Sequence, residues 1–172
     1  RFQHDMRCGM YMDLSSAIAE RALMHSENSY HIQNIEIVAN LYKTNTPSNT
    51  AFRGFGGPQG MLAMERVIDH IAYFLKLDPL IIRKRNFYAD HQTRNRQVQQ
   101  TPYGQIVNDC IINDLVDTLE QTSNYKNRRQ EIENFNKLSN NIKRGISITP
   151  VKFGISFNKL MLNQAGALVH VY

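Results

Sequence analysis

The sequence is short of several things that would settle a function class at once. It has no tryptophan, two cysteines and five prolines in 172 residues. Cys8 and Cys110 lie far apart and form no CxxC pair, so neither a disulfide framework nor a structural zinc site is expected, and a reducing compartment such as the cytoplasm is the default. No run approaches the roughly 20 consecutive apolar residues that span a bilayer, so no membrane association is expected. Arg1 to Asp5 carry no apolar core of a secretion signal. The six histidines are dispersed. His4 and Cys8 have ligand-like spacing, but no second pair accompanies them, which argues against a metal held by side chains. A metal carried by an organic cofactor stays open. The formal charge is +5. The positive residues are scattered in small groups: Arg83-Lys84-Arg85, Arg94 with Arg96, Lys126 with Arg128 and Arg129, and Lys143-Arg144. With no helix-turn-helix, zinc-finger or RNA-binding signature beside them, they read as solvated surface, not as a nucleic-acid footprint.

What is present is an ordinary globular composition, 42% apolar and 20% charged. Apolar spacing predicts a helix from Leu14 to His25, capped by Asp13 or Ser15, and alternation predicts a strand from Ile32 to Tyr42. Lys43 to Gly57 reads as a loop. Met61, Met64, Ile68, Ile71 and Leu75 mark a helix over Pro58–Lys76, and Asp78-Pro79 opens another that runs to about Tyr88. Ala89–Gly104 reads as an exposed excursion. Two further helices are expected near Gln105–Glu120, marked by Ile111, Leu115 and Leu119, and Ser123–Ser139, marked by Ile132, Phe135 and Leu138. Alternation at Val151, Phe153, Ile155 and Phe157 predicts a half-buried strand, and Ala165–Tyr172 predicts one buried on both faces, the two forming a hairpin. The second strand stops without a turn or cap, as in a partial sequence. The fold class expected is α+β, helices packed on mixed and antiparallel strands.

The stretch richest in chemistry is Thr50-Ala51-Phe52-Arg53-Gly54-Phe55-Gly56-Gly57-Pro58-Gln59. Three glycines beside an arginine at a helix start can present backbone N–H groups to an anionic or oxo ligand. Gln59 stands where a GxGxxG fingerprint needs glycine, and no GK[ST] follows, so neither a dinucleotide site nor a P-loop is indicated. The residues alone leave two readings open: an anion cradle, or a glycine-rich helix entry with core phenylalanines.

That stretch, with Lys43-Thr44-Asn45-Thr46-Pro47-Ser48-Asn49 before it, resembles the cofactor loop of the xanthine dehydrogenase family. Further blocks resemble the same family in order: Glu20-Arg21-Ala22-Leu23-Met24-His25, Asp78 to Tyr88, Thr149 to Phe157 and Asn163 to Tyr172. The resemblance implies a partial molybdopterin-binding domain over residues 1–172, truncated at both ends. The upstream glycine-rich cofactor segment, a substrate-contacting glutamate, the downstream Gly-Gln segments and the glutamate base all lie outside it. It further implies oxidative hydroxylation of hypoxanthine and xanthine to urate with water as oxygen source. The cofactors implied are molybdenum-molybdopterin here and 2Fe-2S clusters, FAD and NAD on partner domains or subunits, in a homodimeric or heterotetrameric parent.

The resemblance assigns roles to residues. Phe52, Arg53 and Gly54 would bind the cofactor, the Arg53 backbone lying near molybdenum with no side-chain ligand. Phe55 would stack on the purine face and Phe157 meet its edge. Arg21 would act on a purine carbonyl oxygen as the catalytic cation, beside Glu20, while Leu14 and Leu162 would line the channel. Ala17, Asn158 and Lys159 depart from the family pattern and bear on substrate range. Aldehyde oxidases share much of the loop but usually lack the arginine at position 21, so the purine reading is preferred. A basic binding module and a non-catalytic assembly domain are the alternatives from other classes.

Overall fold

A computed structural model describes residues 1–89 and 98–172, so the Arg94/Arg96 group and part of the expected excursion after Ala89 lie outside the described residues. Among the described residues are two strands, five α-helices and one 3-10 turn: β1 (Phe2–Gly9), α1 (Ser15–His25), β2 (Ile37–Lys43), α2 (Gly57–Leu75), α3 (Pro79–Asn86), α4 (Ile112–Thr122), α5 (Tyr125–Leu138) and the turn Leu160–Leu162. The class is α+β. None of these helices is long and apolar enough to cross a membrane.

β1 and β2 pair in parallel, from Phe2 opposite Ile37 to Gly9 opposite Lys43, with α1 as the crossover. Parallel strands require such a connection. Nothing in the apolar pattern announces β1. Its inward positions are Phe2, His4, Met6 and Cys8, and the histidine breaks the alternation. His4 is accommodated because its Nε2 hydrogen-bonds the buried Ser26 hydroxyl at 2.8 Å. β2 starts at Ile37, five residues later than the alternation suggests. The cap of α1 also differs: Leu14 holds that position with no side-chain hydrogen bond, and Asp13 takes a positive φ of 42°.

α2 packs directly on α1. A Cβ at Gly60 would lie 2.3 Å from the Ala22 carbonyl oxygen, and one at Gly56 2.0 Å from that of Ile18. Gly56, at φ 104°, is also the residue from which α2 departs. The buried stripe of α2 is Gly57, Gly60, Met64, Ile68 and Ala72, while Ile71 and Leu75 of the expected stripe are exposed. The face is rotated because the glycines, which carry no apolar signal, take the contact with α1.

α3 begins as expected, with the Asp78 carboxylate accepting from the Leu80 N–H at 2.8 Å. The same carboxylate takes the Tyr125 hydroxyl at 3.0 Å and the Arg129 guanidinium at 3.0 Å, which binds α5 to the start of α3. The core gathers Tyr30, Met64, Ile68, Ala72, Leu80, Ile82, Phe87, Val116, Tyr125 and Ile148. Within it Arg83, 1% exposed, donates to Glu65 and Asp69 at 2.8 Å each, and Glu65 also accepts from the Tyr30 hydroxyl at 2.6 Å. α4 starts at Ile112, later than expected, and buries Val116, so Ile111, Leu115 and Leu119 are exposed. On α5 it is Tyr125 that is buried, while Leu138 stands in the open. The excursion is not wholly exposed, since Ala89 and Thr101 are buried.

The C-terminal hairpin does not form. Residues 151–157 lie in no sheet, with a bend at Ser156, and 165–172 are exposed throughout. A strand needs a neighbouring backbone to pair with. Instead, 150–156 is tethered by side chains of α1 and of the turn after it.

Candidate functional site

α1 and the glycine loop make the two sides of a site that the segment 150–159 closes. Arg21 is 6% exposed. Its Nη1 donates to the Gly154 carbonyl at 2.5 Å, its Nη2 donates to the Ser156 carbonyl, and its guanidinium carbon lies 5.1 Å from the Phe153 ring centroid. The Arg21 Nε–H is buried and has no acceptor among the described residues. A buried donor left unmatched is uncommon and marks a place where an acceptor is wanted.

One turn on, the His25 Nε2 accepts the Gly154 N–H at 3.0 Å, which leaves its Nδ1–H to donate to the Arg21 carbonyl at 2.7 Å. Asn28 completes the stripe, donating to the Pro150 carbonyl at 2.9 Å and accepting the Lys152 N–H at 3.0 Å. The fully buried Glu27 carboxylate meets the Lys152 ammonium, whose pKa burial pulls down to about 8. His25, Asn28 and Glu27 are contributors that sequence reasoning missed. The i, i+4 spacing of Arg21 and His25 on α1 is a signal that could have found His25, whereas Glu27 and Asn28 lie past the end of the helix and carry no such signal.

Burial holds the His25 pKa below the ordinary 6.5, helped by the nearby charges of Lys152 and Arg21 and opposed by the hydrogen bond to Arg21. The group is depressed on folding, so the unfolded chain binds the extra proton first. Stability is therefore full above pH 6.5 and is lost as pH falls toward the folded pKa. We expect the wild-type melting temperature to drop between pH 7 and 5.5 by more than that of His25→Gln. Parallel curves for the two proteins would show that His25 titrates freely.

The ring pair comes together as expected. Phe55 and Phe157, both half-buried, have centroids 5.2 Å apart and planes tilted by 50°. At that distance the rings touch each other. A flat heterocycle needs about 3.5 Å to each carbon surface, so it enters only after the rings part. Phe55 sits at a positive φ of 51° between Gly54 and Gly56, and its N–H donates to the Phe52 carbonyl at 2.8 Å. Phe52 is 82% exposed and Arg53 is also exposed. Among the described residues neither Arg53 nor Gly54 gives its backbone N–H to another backbone group. These groups could receive the oxygen atoms of an anionic cofactor. The Cβ positions of Gly54 and Gly56, by contrast, are blocked by Pro58 and by α1, so those glycines serve the tight entry into α2.

Glu20 extends from the same helix, its carboxylate taken by the Lys159 ammonium on one oxygen and by Asn158 at 3.4 Å on the other. Leu14 sits at the start of α1 and Leu162, 53% exposed, in the 3-10 turn. No cluster of three or more His, Cys, Asp or Glu side chains that could hold a metal is found among the described residues.

Comparison with known proteins gives consistent findings. Residues 1–87 match the molybdopterin cofactor-binding domain, and residues 118–172 match a second family model described in the same words. The xanthine dehydrogenase of Dictyostelium discoideum is 47% identical over 95% of this chain, and that of Calliphora vicina 46% over 95%. The chain spans 12% of the length of each. Among solved structures, the aldehyde oxidoreductase from Desulfovibrio gigas superposes with a TM-score of 0.66 at 27% identity, covering 77% of this chain and 14% of that one. Quinoline 2-oxidoreductase from Pseudomonas putida shares the fold, with a TM-score of 0.64 at 22% identity over 79% of this chain and 17% of that one.

Proposed function

This chain belongs to the molybdopterin cofactor-binding domain family, and from that premise we propose that it forms one wall of the active site of a molybdenum hydroxylase that oxidises hypoxanthine and xanthine toward urate. The observation that carries the reading is the placement of the Phe55–Phe157 ring pair beside a segment whose backbone is held by the buried Arg21 guanidinium. When bound, the pterin-held molybdenum supplies the oxidising centre and the water-derived oxygen. The rest falls to this chain and its partners. The N–H groups of Arg53 and Gly54, beside Phe52, receive the cofactor's polar atoms. The Phe55 and Phe157 rings part to hold a purine by face and by edge, a geometry worth about 0.5–1.5 kcal/mol per ring pair beyond burial. Arg21 steadies the charge that builds on a purine carbonyl oxygen as the ring is attacked. Glu20 borders the same space, and Leu14 and Leu162 line the approach. In a cytoplasmic homodimeric or heterotetrameric parent, within which residues 1–172 are part of a larger molybdopterin-binding domain, 2Fe-2S clusters, FAD and NAD on other domains or subunits would supply the electron acceptors.

Aldehyde substrates are the second reading, favoured by the structural likeness to an aldehyde oxidoreductase. The purine reading is preferred because the xanthine dehydrogenases are far more similar in sequence and because a ring pair suits a flat heterocycle. Phe55→Ala in the holoenzyme tests it. We expect kcat/KM for xanthine to fall on the order of 10²-fold, because a misplaced ring loses its reactive geometry, with molybdenum content retained. Normal purine kinetics in that variant would make Phe55 a packing residue only.

A further inference from the structure

Phe157 is held from both sides by the same helix. On its N-terminal side Arg21 donates to the carbonyls of Gly154 and Ser156. On its C-terminal side Asn158 donates to the Ala17 carbonyl at 2.8 Å and to Glu20 at 3.4 Å, and Lys159 pairs with the other Glu20 oxygen. Asn158 and Lys159 follow Phe157 directly, and Ala17 supplies the accepting carbonyl on α1. The three meet at one place on α1. Both oxygens of Glu20 are engaged there, and the Lys159 side chain is 28% exposed, its ammonium held against Glu20.

We propose that Asn158, Lys159 and Glu20 form a latch that fixes the backbone of Phe157 on α1, so that only the Phe157 ring moves when substrate enters. The three are positioning residues for hydroxylation. Glu20 then serves the reaction through the segment it holds. This role of the latch rests on the ring pair being the substrate slot. A single exposed ion pair contributes little, but this latch adds an Asn–carbonyl hydrogen bond next to a half-buried carboxylate, and the Asn158 Oδ1 is itself buried without a partner. Asn158→Asp would place a second negative charge at that point, facing both Glu20 and a carbonyl, with no change of size.

Two measurements on the holoenzyme separate the latch from the functional reading. Trypsin cuts after Lys159, and the latch shields that bond. We expect cleavage at Lys159–Leu160, followed by mass spectrometry, to run about tenfold faster in Glu20→Gln and in Asn158→Asp. Equal cleavage in wild type and both variants overturns the latch, whatever the substrate. The second measurement is kcat/KM for xanthine and for an aromatic aldehyde. We expect about a tenfold loss in both variants, carried mainly by kcat, with the Lys159→Arg protein close to wild type. Faster cleavage with unchanged kinetics overturns the positioning role. A holoenzyme that turns over the aldehyde but not xanthine sinks the purine reading, while a loss of aldehyde turnover in the variants still supports the latch.

Discussion

Arg21→Met in the holoenzyme is expected to lower kcat/KM for xanthine on the order of 10²–10³-fold and to lower the ratio of xanthine to aromatic aldehyde turnover with it. The reasoning begins with charge. Attack on the purine ring drives electron density toward a carbonyl oxygen, and a fixed cation nearby stabilises that state more than the bound substrate. A simple aldehyde presents no second carbonyl to the guanidinium. The geometry adds a complication that the ratio resolves. Arg21 also holds Gly154 and Ser156, so its loss slackens the backbone before Phe157 for every substrate. Methionine keeps most of the apolar stem. The slackening then lowers both activities together and cancels in the ratio, whereas the electrostatic part does not. An unchanged ratio would make Arg21 a tether alone and remove the residue-level reason for preferring purines.

Arg83→Met is expected to cost about 3–5 kcal/mol of stability, although Arg83 has no place in the site. Arg83 is 1% exposed and answers both Glu65 and Asp69. Burial opposes its charge, but the charge and hydrogen bond of Glu65 more than offset that and raise its pKa. Removing the guanidinium leaves the Glu65 carboxylate, mostly buried, facing a Tyr30 hydroxyl whose own pKa burial has already raised. An uncompensated charge of that kind is expensive, while the double variant Arg83→Met with Glu65→Met removes both partners and should recover much of the loss. Thermal or urea unfolding of the three proteins checks this. A single variant as stable as wild type would mean that the pair is solvated in practice.

α2 and α3 were legible in the sequence because their signals are local: Pro58 and the Asp78-Pro79 cap act within a few residues. β1 was not, since an inward His4 looks polar until its Ser26 partner is known. The strand pattern at 151–157 was real as alternation but not as pairing, because alternation says nothing about whether a neighbour exists. In the site, spacing alone could not relate Phe55 to Phe157, a hundred residues apart. The resemblance did so, and the two rings are in contact. Family likeness did not reveal that Asn158 and Lys159 converge on Glu20, because that convergence depends on how the segment folds back onto α1. Nor did it reveal how closely Pro58 and α1 crowd Gly54 and Gly56, which only the folded backbone makes visible.

The stripe Arg21, His25 and Asn28 has a consequence for how this region can change over generations. The segment it holds is fastened at single side chains instead of along a ladder. Substitutions can therefore alter one fastening at a time, and the pocket can be retuned in small steps. Insertions and deletions cannot do the same. One residue added within α1 after Arg21 would turn His25 by about 100° around the axis, and its hold on Gly154 would face the wrong way. Length variation should be tolerated in the 3-10 turn and excluded from α1.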